Sequence, residues 1–167
     1  MITNDMLKTE DCLLTLSALL EGEDDPIANL ANAAALLYAV LPAVNWAGFY
    51  LLRDGALVLG PFSGLPACTR IALGKGVCGT AFSENRTVVV ADVHAFPGHI
   101  ACDGASRSET VVPLQTADGV PFGVLDVDSP ALDRFDADTV ALLEAAAGII
   151  QERTADAVRT LYGRNGA

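Results

Sequence analysis

The chain has 167 residues, a formal net charge of −11 and 51% hydrophobic content. That length and apolar fraction suit one domain built on a single core. The acidity excludes nucleic acid and anionic membranes as partners, because both demand clustered Lys and Arg.

The opening "MITNDMLKTEDC" carries acids where a secretory signal has a cationic start and an apolar run, so the chain is expected in the cytoplasm. Residues 5 to 20 place Leu7, Leu13, Leu14, Leu16, Leu19 and Leu20 largely on one helical face. A second helix follows Pro26 and ends before Pro42. The uncharged stretch from Ile27 to Leu52 exceeds the roughly 20 residues of a membrane helix. Asn29, Asn32, Pro42 and Asn45 interrupt it, and its pattern turns strand-like near Pro42, so it reads as a buried helix followed by a strand. "NWAGFYLL" and "ALVLGPF" are two strands joined by the turn Asp54-Gly55, and "TRIAL" is a third. "GKGVCGTAFSEN" opens on glycines and continues as a short helix, "RTVVVADV" is a fourth strand, and "HAFPGHIACDGAS" is too rich in Gly, Pro and polar residues to be regular. "ETVVPLQT" and "PFGVLDVD" flank Asp118-Gly119, a signal for a type I′ hairpin turn. Phe135 to Arg159 closes the chain as a long helix. Two helices, several hairpin-linked strands and a final helix predict an α+β fold, with a mainly antiparallel sheet of about six strands flanked by helices.

If Asp118-Gly119 is a two-residue turn, Glu109 faces Asp128 and Val111 faces Asp126. Alternation puts Asp126 and Asp128 on one face, with Glu109 beside them. Like charges across strands destabilise a sheet, and partial burial raises at least one pKa unless a cation is present. The patch is then either a solvated sheet face or a cation site. A bulge at Pro113 would break the cross-strand pairing but leave Asp126 and Asp128 together. Trp46, Gly48 and Tyr50 share a face of their strand, with Gly48 leaving space between two rings. If that face meets the carboxylates, the pocket suits a small molecule with an ammonium group and a soft apolar tail; otherwise the rings are core.

The four cysteines, Cys12, Cys68, Cys78 and Cys102, form no CxxC and no secreted disulfide framework, so a disulfide here is expected to be transient. Cys12 reads as a packed thiol. Cys78 falls at a helix start near Lys75, and both features lower a thiol pKa. Cys68 begins a strand. Cys102 lies among His99, Asp103, Ser106 and Arg107, surroundings that favour chemistry over packing. His94 and His99 with a cysteine match no compact zinc site, the acids lack a calcium loop, and no metal is expected. A Cys102–His99 pair for acyl transfer is a further alternative.

"NWAGFYLL", "LGPFSGLPAC", "GKGVCGTAF", "ADVHAFPGHIACD", "SETVVPL" and "GVLDVDSP", from about Asn45 to Leu143, together resemble the free methionine-R-sulfoxide reductases, stand-alone members of the GAF domain family. The order and spacing of Cys68, Cys78 and Cys102 fit the family's three-cysteine pattern. The resemblance implies one GAF domain over residues 1–167, with a helical segment at 1–42, sheet and active-site loops at 43–130 and a terminal helix at 135–161. It also implies a reaction in which a thiolate attacks the sulfur of free L-methionine (R)-S-oxide, methionine leaves, and the sulfenic acid is resolved as a disulfide. Thioredoxin, recharged from NADPH by thioredoxin reductase, then restores the thiols, and no bound cofactor is needed. By position Cys102 corresponds to the nucleophile, with Cys78 as the alternative, and Cys68 or Cys78 resolves it. Trp46 and Tyr50 would hold the methyl and sulfinyl end, while Glu109, Asp126 and Asp128 would bind the ammonium and protonate the sulfoxide oxygen. The stretch from His94 to Ser108 would act as a lid over the substrate.

Two other classes compete with an enzyme: a GAF-type module that senses a small molecule, and an interaction protein switched by its cysteines. Catalytic turnover separates the enzyme from both. The helix containing "TVALLEAAAGII" suits either a homodimer contact or a cover for the sheet.

Overall fold

The computed structural model describes residues 9–98 and 104–162. A short 3-10 turn, Thr9–Asp11, leads into helix α1, Cys12–Leu20. The first helix is therefore shorter than its leucine pattern predicts, and Leu7 lies outside the described residues. Cys12, Leu16 and Leu20 form an i, i+4 stripe that is fully buried, whereas Leu14 is 76% exposed. Two residues turn a helix by about 200°, so Leu14 faces away from the stripe. Helix α2, Pro26–Val40, starts where the Asp25 carboxylate accepts hydrogen bonds from the Ile27 and Ala28 amides, with Pro26 in the first turn. It ends at an extended Leu41, the conformation that Pro42 imposes on the residue before it. Among the described residues no helix is long and apolar enough to cross a membrane.

The strands are β1 Trp46–Arg53, β2 Ala56–Gly64, β3 Arg70–Ala72, β4 Val88–Val90, β5 Ser108–Gln115 and β6 Pro121–Ser129. Helix α3, Gly76–Glu84, precedes β4, and helix α4, Ala137–Tyr162, follows β6. The six strands form one antiparallel sheet in the order β3-β2-β1-β6-β5-β4. β4 is shorter than the predicted "RTVVVADV", and Val93–Ala95 forms a 3-10 turn across the boundary between that predicted strand and the stretch expected to be irregular.

One sheet face packs on α1, α2 and α4 through Phe49, Leu51, Val112, Leu114, Leu125 and Val127. The Ala-rich face of α4 belongs to this layer: Leu143, Ala146, Ala147 and Ile150 are buried in it, which removes that face from the candidate homodimer contacts. The opposite face carries Trp46, Tyr50, Val111 and Val124 beneath α3, which contributes Val77, Cys78, Ala81 and Phe82. Period-two alternation thus sends one set of side chains to the helical layer and the other to a smaller chamber.

The β5–β6 hairpin has the expected register but not the expected turn. Glu109 pairs with Asp128 and Val111 with Asp126. A type I′ turn needs positive φ at both central residues, yet of Asp118 and Gly119 only Gly119, at φ 80°, has it. The Gly119 amide donates to the Thr116 carbonyl, so the loop is a type I turn followed by a left-handed glycine. This longer loop shifts the pairing by one residue, and an irregularity between Leu114 and Gln115 shifts it back. That irregularity, rather than one at Pro113, leaves the carboxylate pairing intact.

Candidate active site

Three neighbouring strands deliver the polar patch. β1 pairs Trp46 with Asp128 and Gly48 with Asp126, and β5 places Glu109 opposite Asp128. Chain-distant strands β1 and β6 meet at the centre of the sheet, which brings the aromatic face against the carboxylates, the arrangement that the sequence pattern left as one of two alternatives. The solvated-face alternative does not hold, since Glu109 and Asp126 are only 7% and 6% exposed. Asp128 is half-buried.

Gly48 does not leave an empty gap. Trp46 stacks on Phe62 with ring centroids 5.3 Å apart and lies 6.0 Å from Tyr50. A Cβ on Gly48 would sit 2.7 Å from Trp46 Cη2 and 2.8 Å from Phe62 Cα, so only glycine lets the Trp46 ring lie across β1. Gly48→Ala is expected to destabilise the fold by about 1–3 kcal/mol through overpacking, measured as a lower urea midpoint with unchanged slope. Phe62 was not anticipated as part of this wall. Its signal is cross-strand: it stands directly opposite Gly48 in β2.

The aromatic wall also holds the segment that carries Cys68. Trp46 Nε1 donates to the Leu65 carbonyl at 3.1 Å, and the Tyr50 hydroxyl donates to the Cys68 carbonyl at 2.9 Å. Cys68 is disulfide-bonded, whereas Cys12 and Cys78 are free thiols. Cys102, His99 and Asp103 lie outside the described residues, as does the centre of the stretch expected to act as a lid.

Cys78 corrects the expectation drawn from its helix-start position. Its thiol is 3% exposed and donates to Glu109 Oε1 at 3.9 Å. Burial first, then the neighbouring Asp126 and Glu109, push its pKa well above the ordinary thiol value. Desolvation and two carboxylates outweigh the helix start and Lys75, so Cys78 stays protonated. Cys12 fits its reading as a packed thiol, buried and raised by desolvation to about 11.

The same environment shifts both buried carboxylates toward their protonated forms. Burial, followed by the charges of Asp126 and Asp128, raises Glu109 well above the carboxylate range. Burial raises Asp126 to about 7, against hydrogen bonds to Cys78 and Glu109 that pull it down. Among the described residues neither carboxylate has an ion-pair partner, and Asp126 Oδ1 is buried without a hydrogen bond. A pocket of this kind can donate a proton from Glu109 and accept an ammonium at its anionic corner.

A separate cleft of about 790 Å³, lined by residues including Leu52, Arg53, Val120, Arg159 and Tyr162, contains none of these groups.

Comparison with known proteins places the chain in a family. The GAF domain family matches residues 32–152. A free methionine-R-sulfoxide reductase from Escherichia coli is 53% identical over 133 residues, covering 78% of this chain and 80% of that protein. One from Saccharomyces cerevisiae is 42% identical over 150 residues, covering 86% and 83%. A Staphylococcus aureus fRMsr structure in complex with substrate is 52% identical with a TM-score of 0.81, covering 86% of this chain and 93% of that one. The chain therefore belongs to the GAF domain family, within its group of free methionine-R-sulfoxide reductases.

Proposed function

We propose that this protein reduces free L-methionine (R)-S-oxide to L-methionine by thiol chemistry. The observation that carries the reading is the buried Glu109–Asp126 pair, without a cationic side chain among the described residues, facing Trp46 and Tyr50 beside the disulfide-bonded Cys68. The substrate supplies what the site lacks: an ammonium for the carboxylates, and a methyl sulfoxide for the rings and the protonated Glu109.

In this mechanism the Cys102 thiolate attacks the sulfoxide sulfur while Glu109 protonates the oxygen. A Cys102–methionine sulfur–sulfur bond forms as the S–O bond breaks and the oxygen, protonated a second time by solvent, departs as water. A water then attacks the Cys102 sulfur and loses a proton, methionine leaves with the electron pair of the sulfur–sulfur bond, and Cys102 becomes a sulfenic acid. The Cys68 thiol then attacks the Cys102 sulfur, water departs, and a disulfide forms. Cross-linking at Cys68, with Cys78 a free and protonated thiol, supports Cys68 as the resolving cysteine and argues against Cys78 as nucleophile. Thioredoxin reduces the disulfide by exchange, with electrons from NADPH through thioredoxin reductase. Such a cycle needs no prosthetic group and suits a reducing compartment, the cytoplasm.

The test is thioredoxin-coupled NADPH consumption with the R and S epimers of free methionine sulfoxide supplied separately. Turnover of the R epimer alone is expected. Binding without turnover would select a sensor instead. Glu109→Gln is expected to lower kcat by about 10²–10⁴-fold, because the amide cannot give up a proton. Asp128→Asn, one charge short at the ammonium, is expected to act mainly on KM. Normal steady-state constants in both variants would remove the carboxylate pocket from the mechanism.

A further inference from the structure

Cys78 is a buried thiol that the proposed reaction does not consume. Its Sγ, a Glu109 carboxylate oxygen and an Asp126 carboxylate oxygen all lie within 4.8 Å of one another, and all three residues are buried. We infer that Cys78, Glu109 and Asp126 form an inhibitory site for a thiophilic divalent cation of the zinc and cadmium class, which occupies the place of the substrate's ammonium and sulfoxide groups. The inhibitory part rests on the reading of this chamber as the substrate site.

The donor set and spacing fit such an ion. Zinc takes sulfur at about 2.3 Å and oxygen at about 2.0–2.2 Å in a tetrahedron, which sets sulfur–oxygen edges near 3.5 Å. The Cys78 Sγ to Glu109 Oε1 separation is 3.9 Å, so that edge needs only a small side-chain adjustment, and the Asp126 oxygen lies within 4.8 Å of both. Asp126 Oδ1, buried and without a hydrogen-bond partner, is an acceptor that awaits a positive group. A water completes the fourth position.

Chemistry also separates the candidate ions. Calcium needs six to eight oxygens and magnesium an octahedral shell, neither of which two buried carboxylates and a sulfur supply. A thiolate selects the softer ions. His94 is not part of the cluster, so this site differs from the histidine-based zinc site considered from the sequence. As thiolate and two carboxylates the cluster carries three negative charges. A methionine ammonium offsets one, and a divalent cation offsets two. The ion is a competitor of substrate, not a cofactor of the reaction.

The test uses the reduced full chain carrying Cys68→Ser and Cys102→Ser, which removes the redox thiols that would themselves bind metal and keeps the chamber. Cadmium is titrated in and followed by its thiolate charge-transfer absorption, while binding of free methionine-R-sulfoxide to the same protein is measured by calorimetry. The expected result is saturation at one cadmium per chain and loss of the band when Cys78→Ser is added. Affinity should fall roughly tenfold or more with Asp126→Asn, and methionine-R-sulfoxide should displace the ion. Absence of the band, or a band indifferent to Asp126→Asn, overturns the cation site. If sulfoxide still binds in that case, the reductase reading stands by itself. Cadmium that saturates but is not displaced by a bound sulfoxide overturns the inhibitory role, and failure of the sulfoxide to bind at all overturns that role together with the reading of the chamber as its site.

Discussion

Replacing Cys102 by serine is expected to lower turnover of free methionine-R-sulfoxide by at least about a thousandfold, because a hydroxyl near neutral pH cannot replace the thiolate as nucleophile. Cys68→Ser separates the two chemical steps. Its nucleophile is intact, so each chain should release about one methionine and stop at the sulfenic acid, with no sustained thioredoxin-coupled flux. Cys12→Ser lies in the helical layer away from the chamber and should leave turnover near the wild-type rate. Quantifying methionine released per chain, alongside NADPH consumption, distinguishes these outcomes. Sustained turnover by Cys102→Ser would transfer the nucleophile elsewhere. Sustained flux in Cys68→Ser, lost only when Cys78 is also replaced, would make Cys78 the resolving thiol despite its burial.

The ligand-free protein should lose stability as the pH rises from about 5 to 8.5. Burial holds Asp126 at about 7 in the fold, against a carboxylate value near 4 in the unfolded chain. The folded state therefore binds this proton more tightly. That contribution is fully present below about pH 4 and is lost as the pH climbs through 7. Glu109, also raised by burial and its neighbours, acts in the same direction. Asp118 and Asp136 are lowered by hydrogen bonds from Thr116 and Thr139, so their contribution is lost only in acid below this window. The expected loss is on the order of 3 kcal/mol, or a fall in Tm of roughly 6–12 °C. Asp126→Asn should flatten the slope and raise Tm at pH 8, since it removes a charge that burial penalises. Saturating methionine, whose ammonium offsets the carboxylates, should recover part of the loss. A Tm that rises over this window, or a slope unchanged in both Asp126→Asn and Glu109→Gln, would show that the dyad does not carry its protons as proposed.

These two expectations depend on different kinds of information. The helix boundaries at Pro26 and Pro42, the strand alternation of "NWAGFYLL" and "GVLDVDSP", and the pairing of Glu109 with Asp128 were all legible in the sequence, because proline geometry and the two-residue period act locally. The hairpin pairing was reached through an incorrect turn type. Two one-residue offsets, the longer loop at Gly119 and the irregularity after Leu114, cancel before the carboxylates, and only the folded backbone displays both.

The sequence by itself determined that Asp126 and Asp128 share one strand face, that Trp46, Gly48 and Tyr50 share a face of another strand, and that the cysteines do not form a secreted framework. Tertiary structure decided what those groups are. Placing β1 beside β6 joined the aromatic and acidic faces, stacking Phe62 on Trp46 completed the wall, and docking α3 over the sheet buried Cys78 against Glu109. Local rules assign Cys78 a depressed pKa from its helix start, whereas the packed chamber raises it. Desolvation is the physical reason for the difference: it depends on everything that surrounds a group, and those neighbours come from segments far apart in the chain.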